Sequence, residues 1–132
     1  MALARGFLTL VGFLYLGLGL YCALSPAAAA KKVSLAPQGD NGTSEFVTVY
    51  GGLEVALAAI FLLPWLAPDA TRFCLLTCLI IHGGLVLSRS ATLLVLEDLG
   101  GAIYRLALGE WVILLGGLAI WFLANPGRSL SN

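Results

Sequence analysis

Apolar residues run almost unbroken through four stretches of the chain, at 3–24, 47–66, 72–87 and 103–123. A helix crosses a bilayer in about 20 residues, and the third stretch reaches that length when extended through Arg89. Each stretch has a boundary signal. Ser25-Pro26 ends the first, Pro64 and Pro68 bracket the end of the second, Asp69 or Thr71 caps the third, and Asn125-Pro126-Gly127 ends the fourth. Between them, residues 31–44 read as a polar, turn-rich linker containing Pro37, Gly39, Asp40, Asn41 and Gly42. Residues 67–71 read as a tight hairpin. Residues 90–101 are intermediate: the apolar run 91–96 lies along the interface or extends the third helix, and Glu97, Asp98, Gly100 and Gly101 then mark a turn. The pattern predicts an all-α membrane protein, a four-transmembrane-helix bundle. It forms one integral membrane domain over 1–132, with spans at about 3–24, 47–66, 72–89 and 103–123.

The first stretch also has features of a secretory signal, with Arg5 ahead of the apolar run and an Ala-rich segment at 27–30. Its apolar run is longer than the roughly 7–15 residues of a signal core. We read it as a retained span.

Composition agrees with this reading. Of 132 residues, 60% are hydrophobic and 11% charged, against about 45–50% and about 25% in soluble domains. The formal net charge is zero, which leaves no electrostatic footprint for nucleic acid. Three cysteines are an odd number and define no disulfide framework. The even number of spans puts both termini on one side. Arg5, Arg72 and Arg128 share that side, and Lys31, Lys32, Arg89 and Arg105 the other. The positive-inside rule does not separate them; our reading puts the termini in the cytoplasm. Asn41-Gly42-Thr43 matches a glycosylation sequon, a tripeptide that recurs by chance.

Against this apolar background the ionisable residues stand out. Glu54 lies seven residues in from Val47, His82 seven back from Arg89, and Glu110 seven in from Ile103. At 1.5 Å per residue each is expected roughly 10 Å below the same membrane face. Tyr50, Arg89, Tyr104 and Arg105 fall nearer the surface of that half. A charged group in a span costs roughly 3 kcal/mol or more and is a functional-site hypothesis by default. Two readings remain open. Glu54 and Glu110 against Arg89 and Arg105, with His82 as a switchable member, form an internal network that holds the helices in register. Alternatively, the same groups form a ligand or proton site. In the second reading Glu54 and Glu110 are acceptors, Arg89 and Arg105 are anion-directed, and His82 and Tyr50 supply hydrogen-bonding lining.

Other features add less. The pairs Gly51-Gly52, Gly83-Gly84 and Gly116-Gly117, with Gly17 and Gly19, predict close helix packing; Gly52/Ala56 and Gly84/Ser88 have small-xxx-small spacing. Cys74, Cys78 and His82 share one helical stripe, but its ends are about 12 Å apart, so the three cannot hold one metal. His82 and Met1 are the only residues of their kinds, which leaves a haem without its usual ligand pair. No metal site is expected and no cofactor is indicated. Trp65, Trp121, Tyr15, Tyr21, Tyr50 and Tyr104 suit interfacial belts, whereas Trp111 is deep. No catalytic motif is present.

Three sets of residues carry a resemblance to a known family. These are Val49-Tyr50-Gly51-Gly52-Leu53, then Gly83-Gly84 followed by Ser88-Arg89, then Asp98-Leu99-Gly100. They resemble domain-of-unknown-function family 4345, small four-span bacterial membrane proteins similar to the DoxX-like group, over about residues 7–123. The family pattern has Gly-Arg at Ser88-Arg89 and an acidic-Gly pair where Leu99 separates Asp98 from Gly100. The resemblance implies four helices in the bacterial inner membrane and no established activity. DoxX-like proteins are linked to membrane-associated redox systems, an analogy at the level of fold.

The leading functional expectation is a non-catalytic integral membrane protein that binds a small amphiphile or a partner subunit through this polar layer. One alternative is a membrane enzyme or proton-linked carrier using Glu54, His82 and Glu110 as acid–base groups. Another is an accessory subunit of a respiratory or photosynthetic complex. Expected partners are the lipid bilayer, a small amphiphilic ligand, and a partner membrane subunit or a second copy of the chain.

Overall fold

A computed structural model describes residues 1–124. It contains α1 (Ala2–Leu24), α2 (Pro26–Lys32), α3 (Gly39–Phe46), α4 (Leu53–Leu62), α5 (Thr71–Val95) and α6 (Gly101–Leu123), and no strand among the described residues. A π-helical turn, Val47–Gly52, joins α3 to α4. Four helical runs are long and apolar enough to cross a membrane: Ala2–Leu24, Gly39–Trp65, Pro68–Val95 and Gly101–Leu123. The chain is an all-α integral membrane protein. Its outer faces carry Leu66 and Leu94, each 88% exposed, and Phe122, 71% exposed. Such faces need lipid to cover them.

The structure differs from the sequence reading at two places, and at a third it chooses between two options the sequence left open. Residues 31–44 are not one loop. After the break at Ser25, Pro26 opens α2 at its first turn, where its missing N–H costs nothing. The alanines propagate the helix, and Lys31 and Lys32 lie favourably in its last turn. The reversal then takes only a few residues, with Ser34 at φ 58° and Gly39 at φ 59°, and the helical run restarts at Gly39, eight residues before the apolar stretch. Second, α5 continues through Val95, one of the two options for the run 91–96. Third, neither Asp69 nor Thr71 caps α5. Ala70 occupies the capping position without a side-chain bond, and the Thr71 hydroxyl donates to the Pro68 carbonyl, closing a 3-10 turn at Pro68–Ala70. The break expected at Asn125-Pro126-Gly127 lies outside the described residues.

The chain divides into two compact units. In Thr9–Leu62, α1 lies against α4 and the π turn. Tyr15 is buried, meeting Phe61 edge-on with centroids 5.3 Å apart, so it is a core residue rather than part of a belt. Where Gly19 passes the π turn, an added Cβ would sit 2.9 Å from the Gly51 carbonyl oxygen; one at Gly51 would sit 3.1 Å from the Ala23 Cβ. Only glycine allows that approach of two backbones. Cys22, Ala29, Ala30 and Phe46 form a small cluster beyond it, flanked by Tyr21.

The other unit comprises Met1–Leu8 and the chain from Leu63 onward. Here α5 packs along α6. Gly117 admits Leu79 and the Phe7 ring. The Arg72 guanidinium lies 5.2 Å from the Trp121 ring centre, a cation–π contact. By contrast, nothing lies within 4 Å of an added Cβ at Gly83 or Gly84, so these expected packing glycines are not close-approach points.

Candidate functional site

In the unit built on α5 and α6, the expected polar groups converge. Arg89 near the end of α5 reaches Glu110 on α6 through two parallel bonds, Nε to Oε2 at 2.6 Å and Nη2 to Oε1 at 2.7 Å. This is the planar fork for which arginine is suited. The two side chains are 24% and 12% exposed, so little competes with the pair. One α-turn back from Val86, His82 is 1% exposed. Its Nδ1 stands 2.9 Å from the Cys78 carbonyl oxygen and 3.5 Å from the Cys78 thiol. The shorter contact assigns the Nδ1 proton as donor to the carbonyl, which leaves Nε2 as the acceptor nitrogen of the neutral ring. Arg89 and Glu110 thus form a pair in which the cation is already matched to the anion.

Glu54 has different surroundings. It follows directly after the π turn, where the Leu53 amide bonds to the Thr48 carbonyl. That wide turn holds one residue more than an α-turn, which re-phases the helix beyond it by about 100°. Glu54 meets α1 at Gly19: an added Cβ there would lie 3.0 Å from the Glu54 Cβ. Cys22, one turn-step further along α1, is 6% exposed. The Oε2 atom is fully buried and has no hydrogen-bond partner, the only side-chain N or O in that condition among the described residues. Orphaned buried polar atoms are rare and call for a cause.

Tyr50 and Arg105 are not part of either arrangement. Tyr50 is 43% exposed and stacks on Phe46 with ring centres 4.8 Å apart. The two rings, with Leu35, Pro37, Val49 and Glu45, line an open hollow of about 390 Å³. Arg105 is exposed on the first turns of α6. Trp111 is 42% exposed.

Cys74, Cys78 and Cys22 are buried free thiols. No group of three metal-ligating side chains occurs among the described residues. Sequence reasoning missed Gly19 as the neighbour of Glu54. Its signal was the Gly-x-Gly at 17–19 opposite Gly51-Gly52, which marks where two backbones meet.

No family model, curated protein or solved structure matches the chain.

Proposed function

We propose that the protein is a non-catalytic membrane protein that binds a small amphiphile, with the Glu54 carboxyl as its polar anchor. The observation that carries this reading is the buried, unpartnered Oε2. A polar atom left without a partner in an apolar setting costs about 1–3 kcal/mol. A ligand whose polar head bonds to it and whose tail lies along apolar helix faces recovers that cost. Arg89 and Glu110 are matched to each other and serve as the brace between α5 and α6. The resemblance to family 4345 supports a bacterial inner-membrane location; the termini in the cytoplasm are our own reading of the sequence.

A second reading, an enzyme or proton-linked carrier working through Glu54, His82 and Glu110, draws on the same free oxygen and on the buried His82 ring. The test of the first is chemical. Purified wild type and Glu54→Gln are extracted with organic solvent, and the co-purifying small molecules are compared by mass spectrometry. The expected result is one class of amphiphile enriched over bulk lipid in wild type and lost in the variant, with the melting temperature retained. Equal content in both defeats the reading.

A further inference from the structure

Two carboxyl groups sit well inside the apolar runs, and their surroundings are opposite. Glu110 accepts two charge-assisted bonds from Arg89. Glu54 has an oxygen buried without any partner, in a side chain that packs against the backbone of Gly19. Neither arginine nor histidine occurs anywhere in the unit Thr9–Leu62 that holds it; its cations are Lys31 and Lys32, and Lys32 lies over the Tyr21 ring. An isolated carboxylate is among the costliest groups to hold in an apolar medium, and the neutral acid is the form that avoids that cost.

We infer that Glu54 is a proton-binding site within the membrane and that this makes it the one carboxyl of the chain modified by apolar carbodiimides. The reaction balances without a co-reactant. The acid proton moves to one carbodiimide nitrogen while a carboxyl oxygen bonds to the central carbon, giving an O-acylisourea. Where water is excluded, the acyl group then shifts from oxygen to the neighbouring nitrogen, giving a stable N-acylurea. Nothing leaves and nothing is oxidised. Where water reaches the adduct, it hydrolyses to the free acid and a urea. The remaining acids, Asp40, Glu45, Asp69, Glu97 and Asp98, are all exposed residues and fall outside the four apolar stretches. Both Glu110 oxygens are occupied by the Arg89 guanidinium.

The inference shares Glu54 with the amphiphile reading but requires no ligand, so either can fail alone. The full chain, in lipid nanodiscs, is treated with dicyclohexylcarbodiimide, digested and mapped by mass spectrometry. In parallel it is treated with a water-soluble carbodiimide and glycine ethyl ester. The expected result is one stable adduct per chain on Glu54 with the apolar reagent, lost in Glu54→Gln, and no glycine ester on Glu54 with the soluble reagent. Melting temperature and gel filtration establish that the variant is folded; should it not fold, mapping of the wild-type adduct decides by itself. An adduct on Glu110 with Glu54 unmodified, no adduct on Glu54 in folded protein, or coupling of glycine ester to Glu54 would each overturn it. Labelling with no co-purifying amphiphile would retain the proton site and remove the ligand.

Discussion

Arg89→Ala is expected to destabilise the protein by about 3–5 kcal/mol, because it leaves Glu110 charged and buried without its partner. The effect is far larger than the roughly 0.2–1 kcal/mol of an exposed ion pair. Two features produce it. The guanidinium fork satisfies both carboxylate oxygens at once, and lipid replaces water around the helices, so no solvent steps in when the partner is removed. Glu110→Leu strands the arginine in the same way. The double variant Arg89→Met with Glu110→Leu removes both charges and is expected to recover most of the loss, since a matched apolar pair often equals a buried ion pair. Unfolding of wild type, Arg89→Met, Glu110→Leu and the double variant in one detergent gives the coupling. If the two single losses simply add in the double variant, the pair is not the brace between α5 and α6.

The second large effect is expected at Gly19. An added Cβ there meets the Gly51 carbonyl oxygen at 2.9 Å, the Val55 Cγ2 at 2.9 Å and the Glu54 Cβ at 3.0 Å. Backbone cannot move aside as a flexible side chain does. Alanine is therefore expected to cost about 1–3 kcal/mol as an overpacked contact, and leucine to separate α1 from the π turn. Gly17, two residues away on the same helix, is the internal control: nothing lies within 4 Å of its added Cβ, so Gly17→Leu should change stability by about 0.5 kcal/mol or less. Comparable melting temperatures for Gly19→Leu and Gly17→Leu would show that the helices do not approach there.

The four apolar runs made the helices legible, because lipid imposes both their length and their continuous hydrophobicity. The same rule located Glu54, His82 and Glu110 as residues requiring an explanation. The pairing was only partly legible. Arg89 and Glu110 were both expected in the polar layer, but charge alone did not separate Arg89 from Arg105. Geometry does so: Arg89 projects from a helix that runs on to Val95 and meets Glu110, while Arg105 is exposed. Glu54 was expected to have a cation, and the counting of charges made one available. The π turn at Val47–Gly52 intervenes, and a pattern read at the α-helical period carries no sign of one inserted residue. The turn-rich reading of residues 31–44 failed for a related reason. Glycine, asparagine and aspartate suit turns in isolation, but here the segment continues into an apolar helix that extends its hydrogen bonding back to Gly39.

Glu54 is the centre of this account, and a density map of the wild-type protein in nanodiscs made from its native membrane tests it most directly. The account predicts non-protein density within hydrogen-bond distance of Glu54 Oε2, continuing along the apolar faces of α1 and α4, and its loss in the map of Glu54→Gln. A wild-type map in which Oε2 bonds to another side chain of the same protein, with no density beside it, would contradict it.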